Sequence, residues 1–133
     1  GRYSPDGMLA GLWLYHGDLE ASHRVSQELK TAEGSFWHGI MHRREPDPGN
    51  AAYWFRLTGR HPVFPELRDR VAALTAAHGE TDFAVKAEWD PFAWIEFWER
   101  ARRRVESRDY ALALRIQDAE WEILFAYCAR LKE

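Results

Sequence analysis

Apolar and polar positions along the chain recur at helical spacing almost throughout. Leu9, Leu12, His16, Leu19, His23 and Ser26 follow one another at intervals of three and four, which places them on one helical stripe. Ser4-Pro5-Asp6 supplies a cap, a first-turn proline and an acid, so the pattern predicts a long first helix over about 5 to 29. Thr31 to Gly34 breaks the pattern. Ser35 is placed to cap a second, short helix to about Arg44, which must stop because Pro46 disfavours helical angles at Glu45. Glu45-Pro46-Asp47-Pro48-Gly49-Asn50 reads as a tight connection. Asn50 would cap a third helix over 51 to 58, closed by Gly59. His61-Pro62-Val63-Phe64 reads as extended, and Pro65 opens a fourth helix ending near His78-Gly79. Asp90-Pro91 starts a fifth to about Glu106, and Asp109 a sixth that reaches the C-terminus.

No segment alternates with period two for long enough to make a strand, and no internal repeat is present. The two C-terminal helices carry apolar stripes: Trp94, Trp98, Ala101 and Val105 on one, Trp121, Leu124, Cys128 and Leu131 on the other. Such stripes need partners, so the expected architecture is all-α, a compact bundle of about six helices in a single domain over 1–133. The middle segment, 30 to 65, is irregular and holds four of the six prolines. Sites concentrate in such segments, which makes it the first place to look for function.

Composition narrows the classes. A length of 133 residues is one domain's worth of chain. The longest apolar stretch, Met8 to Tyr15, is far too short to span a membrane, and no signal-peptide pattern opens the chain. A net charge of −3 gives no support for nucleic-acid binding. The single cysteine, Cys128, cannot form an internal disulfide, so the chain reads as cytoplasmic, with Cys128 an inert core residue. The Arg100, Arg102, Arg103, Arg104 knot, flanked by Glu96, Glu99 and Glu106, reads as a solvated ion-paired face. Seven Trp, seven Phe and five Tyr imply either a thick core or a lined pocket.

The six histidines carry the candidate chemistry. His16 and His23, seven apart, fall on the stripe of the first helix, with Glu20 one turn from each. His38 and His42 flank the apolar face formed by Trp37, Ile40 and Met41, at the i, i+4 spacing that lets two imidazoles converge on one ion. His16 and His23 are about 10.5 Å apart along a helix axis, at about 1.5 Å per residue, too far for one ion to take both. Glu20 with either of them, added to His38 and His42, makes a four-ligand set for a divalent transition metal. The competing expectation is a metal-free buried polar cluster, in which Glu20, Glu45 and Asp47 satisfy the imidazoles.

The middle segment offers a ligand pocket from Trp37, Glu45, Tyr53, Arg56 and His61, reached by Gln117 from the last helix. Tyr53, Trp54 and Phe55 in succession cannot all face one way on a helix, so at least one faces a cleft or solvent. The run Gly34-Ser35-Phe36-Trp37-His38-Gly39-Ile40-Met41-His42-Arg43-Arg44-Glu45-Pro46-Asp47 continues through Asn50, Tyr53-Trp54-Phe55-Arg56, Gly59 and His61-Pro62. It resembles the signature of a small family of uncharacterised bacterial all-helical proteins. The resemblance extends to Leu19-Glu20-Ala21-Ser22-His23, Trp89-Asp90-Pro91-Phe92 and the stretch from Gln117 to Cys128, and so covers most of the chain. That family has no assigned activity, so the resemblance implies no substrate.

Two functions compete at this level. One is a small cytosolic protein, enzyme or binder, with a His/Glu/Trp-lined pocket for a small molecule or metal between the first helix and segment 35–62. The other is a non-catalytic helical interaction module with structural histidines. Neither reading calls for a membrane or nucleic acid, and the sequence leaves oligomeric state and cofactor open.

Overall fold

The structure is a computed structural model that describes residues 4–130. The chain is all-α. Seven helices follow in order among the described residues: α1 (Pro5–Tyr15), α2 (Leu19–Glu28), α3 (Ala32–Arg44), α4 (Pro48–Thr58), α5 (Phe64–His78), α6 (Pro91–Ala101) and α7 (Arg108–Ala129). There is no strand among the described residues. Contacts divide the chain into two compact units, one of Gly1–His61 with Leu124–Glu133 and one of Pro62–Ile123.

The expected long first helix is two helices. His16 closes α1, Gly17 takes a positive φ of 79°, and Asp18 caps α2 by accepting the Ala21 N–H at 2.9 Å. A left-handed residue followed by an Asp cap stops one helix and starts another, and it resets the side-chain phase. The stripe through Leu9 and Leu12 is therefore not the buried one: both are about 40% exposed, while Gly7, Ala10, Gly11 and Leu14 face inward. Arg44 reaches back from α3 to donate to the Leu14 carbonyl at 2.8 Å, joining the Gly17 N–H on that acceptor at the end of α1. The Ser22 hydroxyl donates to the Ala10 carbonyl and ties α2 to α1.

α3 is the centre of the first unit and packs against α1, α2 and α4. It begins earlier than expected, because Thr31 rather than Ser35 is the cap. Its residues from Phe36 to Arg43 are all buried, so it is a core helix, whereas α4 buries only Ala51, Phe55 and Thr58. Gly39 lets α3 and α4 approach closely: a Cβ there would lie 2.6 Å from the Phe55 ring. Asp47, not Asn50, caps α4 through the Asn50 N–H. Glu45 keeps helical angles (φ −57°, ψ −41°) despite the following Pro46, to which it is joined by a cis bond. α3 still ends there, because Pro46 has no N–H to continue the ladder.

The second unit is built on aromatics. Phe83, Trp89, Trp94, Phe97 and Trp98 are buried together, with Phe83 stacked obliquely on Phe97 at 4.7 Å. α6 stops at Ala101, short of the expected Glu106, so Val105 lies in a solvent-exposed turn. Arg100 pairs with Asp82, and Arg102 and Arg103 pair with Glu99, the ion-paired face anticipated for this basic knot. α7 is the longest helix and supplies residues to both units; Leu131 lies outside the described residues. Cys128 is buried, and burial pushes its thiol up to about 11; the Trp37 hydrogen bond opposes that rise and Glu33 adds to it. No helix among the described residues is long and apolar enough to cross a membrane.

Candidate metal centre

α2 and α3 are joined by only three residues, 29 to 31, and pack on each other. On α3, the i, i+4 spacing puts His38 and His42 on one face, their rings stacked at 4.8 Å. From α2, His23 meets both rings edge-on, at 4.6 Å from His38 and 5.4 Å from His42. One ring nitrogen from each of the three lies within 4.8 Å of the others. His38 and His42 are buried, and His23 is half-buried at the rim.

The electrostatics favour the neutral form of His38 and His23. Burial, then the neighbouring His42 and His23, lowers the His38 pKa to about 3. Burial and His42 lower His23 as well, against a smaller opposing pull from Glu45. Desolvation disfavours the cation, and neighbouring imidazoles cannot all carry a charge at this separation. Nδ1 of His38 is buried and has no hydrogen-bond partner among the described residues. Its ring is fixed by Trp54, which stacks on it at 3.7 Å and 12°. Glu45 is bonded to His42, its Oε1 accepting from Nδ1 at 3.0 Å. Asp47 stands close enough to form a second group with His42 and Glu45.

The other expected site residues fall elsewhere. His16 is solvent-exposed against Tyr15, and Glu20 points outward to pair with Arg24. Neither belongs to a converging group among the described residues: His16 lies beyond the end of α1, out of phase with His23, and Glu20, one turn before His23 on α2, is turned to solvent. Trp37 is a core residue, packed over Gly11. His61 is buried beside Phe36 and Tyr127, its Nε2 3.4 Å from the buried Glu33 carboxylate. That pair is a satisfied polar contact inside the first unit, separate from the histidine cluster. Tyr53 and Arg56 are exposed on α4. Gln117 belongs to the second unit, with its Oε1 buried and unbonded among the described residues.

Trp54 is the contact that sequence reasoning missed. It sits in the Tyr53-Trp54-Phe55 run, where the three rings do divide: Phe55 enters the core, Trp54 covers His38 and Tyr53 faces solvent. The signal was the run itself, but only packing decides which ring goes where. The second unit holds an open depression of about 800 Å³ near Arg100, Arg103, Arg104 and Arg108. Its arginines are largely engaged, with Asp82, with Glu99 and with the His78 carbonyl, and acids Glu80 and Asp109 share its wall. It makes a weaker site than the converging imidazole trio.

Comparison of the chain with protein-family models, with curated proteins and with solved structures finds no match to any of them.

Proposed function

We propose that this protein binds a divalent transition-metal ion through His23, His38 and His42. The observation that carries the reading is the convergence of three ring nitrogens, one from each residue, within 4.8 Å of one another. Nitrogens bound at about 2.1 Å in a tetrahedral shell lie roughly 3.4 Å apart, so side-chain movement of about an ångström closes the trio on an ion. Metal ligation requires neutral imidazole, and the lowered pKa values of His38 and His23 keep these rings neutral at physiological pH. A buried, unbonded Nδ1 on His38 is a poor element of a purely structural cluster, since an unsatisfied buried group costs about 1–3 kcal/mol. An all-imidazole set suits zinc, copper, iron or nickel rather than calcium or magnesium. Three protein ligands leave a fourth position for water or a substrate atom, the arrangement of catalytic rather than structural zinc sites. His23, at the half-buried rim, gives that position its access.

The test is titration of metal-free protein, purified without a polyhistidine tag, with Zn(II) by calorimetry and with Co(II) by absorption. One ion per chain is expected, with a raised melting temperature that chelator reverses, and with binding lost in His38→Ala and His42→Ala. A wild-type melting temperature indifferent to zinc and to chelator refutes the reading. The interaction-module alternative draws on the exposed Leu9, Leu12, Trp13 and Tyr15 of α1, and it is the reading left standing by that result.

A further inference from the structure

Glu45 accepts a hydrogen bond from a histidine of the proposed centre, and the turn that carries it is pinned. Its backbone N–H bonds to the Met41 and His42 carbonyls, and the Asp47 N–H bonds to the same His42 carbonyl at 2.6 Å. Pro46 and Pro48 fix φ on either side of Asp47, and Asp47 is held as the cap of α4. Glu45 retains helical angles, so it stays at i+3 on the face that carries His42. Among the described residues His42 is the one hydrogen-bond partner of its carboxylate, although five arginines lie within the neighbouring segment 43–60 or on α2. A carboxylate only accepts, so the proton between the two groups sits on His42 Nδ1, and Nε2 is the nitrogen left to offer a lone pair to a metal.

We infer that Glu45 is the positioning residue of the metal centre: by holding the His42 proton on Nδ1, it fixes the Nε2 lone pair as the ligand offered toward His23 and His38. The inference rests on the metal reading and deepens it. Carboxylate–histidine–metal triads use this arrangement to set tautomer and ring orientation and to raise ligand basicity. It also gives a physical reason for a proline-rich turn directly after α3. The turn brings a half-exposed carboxylate back onto a buried imidazole and keeps it there.

The test has two arms, run on wild type, Glu45→Ala and Glu45→Gln. The first reads the His42 tautomer in metal-free protein by ¹⁵N NMR of the imidazole nitrogens, which a merely structural role would not move. The second reads zinc affinity by competition with a chromophoric chelator. Expected are an Nδ1–H tautomer in wild type, its loss in Glu45→Ala, a fall in zinc affinity of about 10–100-fold, and partial rescue in Glu45→Gln, whose amide oxygen can still accept. An unchanged tautomer in Glu45→Ala, or unchanged zinc affinity, overturns the role of Glu45 and leaves the three-histidine site intact. A wild type that binds no zinc sinks the metal reading and Glu45's part in it together. Two zinc ions in wild type and one in Glu45→Ala would mean that Glu45 ligates a metal itself, with Asp47, and would overturn the positioning role.

Discussion

His38 makes the stability of the metal-free protein depend on pH in a way that can be worked out. Its pKa is about 3 in the folded chain, against 6.5 for an unperturbed histidine. Between those values the unfolded state binds one more proton than the native state, so stability falls as pH falls. The contribution is fully present above pH 6.5 and declines by about 1.4 kcal/mol for each pH unit below it. It stops declining only near pH 3, where the folded state protonates too. His23, shifted the same way by burial and by His42, adds to the loss. From pH 6.5 to 4.5 the His38 share alone is about 2–3 kcal/mol, a large part of the roughly 5–15 kcal/mol that holds a typical domain together. The perturbation is His38→Leu, which removes the titration and fills a buried site of similar volume. Urea unfolding by circular dichroism, with chelator present, at pH 7.5, 6.5, 5.5 and 4.5 gives both stability curves. Carboxylates and the remaining histidines affect both proteins, so the difference isolates position 38. Wild type should lose stability more steeply than the variant, by about 1.4 kcal/mol per pH unit below 6.5. Parallel curves would show that His38 titrates normally and that the cluster is neither buried nor crowded as described.

Gly39→Ala should destabilise the protein by about 1–3 kcal/mol, because its Cβ would lie 2.6–3.0 Å from three carbons of the buried Phe55 ring; an unchanged urea midpoint would mean that α3 and α4 part without loss. His16→Ala and Glu20→Ala should bind zinc as wild type does, since both residues face solvent away from the trio; a tenfold loss in either, measured by the same chelator competition, would return them to the ligand set.

Much of the fold was legible because its signals are local. Asp90-Pro91 fixes the start of α6 from two adjacent residues: the Asp90 carboxylate accepts the Phe92 and Ala93 N–H groups, and Pro91 needs no donor there. The i, i+4 spacing likewise places His38 and His42 on one face of α3 before any packing is known. The break between α1 and α2 was also written locally, in His16-Gly17-Asp18, a left-handed glycine followed by an Asp cap. An apolar periodicity running through it suggested one helix, but periodicity records only spacing. It does not record whether the backbone between two stretches keeps its phase. That single turn takes His16 out of phase with His23 and leaves it in solvent.

What the sequence could not settle are contacts between elements. His23 joins His38 and His42 because α2 packs on α3, a result of which faces bury best. Trp54 rather than Tyr53 covers His38 because Phe55 occupies the space opened by Gly39, and a helix that commits Phe55 to the core turns its neighbours to fixed directions. The low pKa of His38 is likewise a property of burial and of His23, brought in from another helix, added to the His42 that the spacing already placed beside it. Composition, caps and spacing therefore determined that the chain is helical and where most helices begin. Tertiary packing determined which histidines meet, because desolvation and ring contacts depend on distances that no one-dimensional pattern encodes.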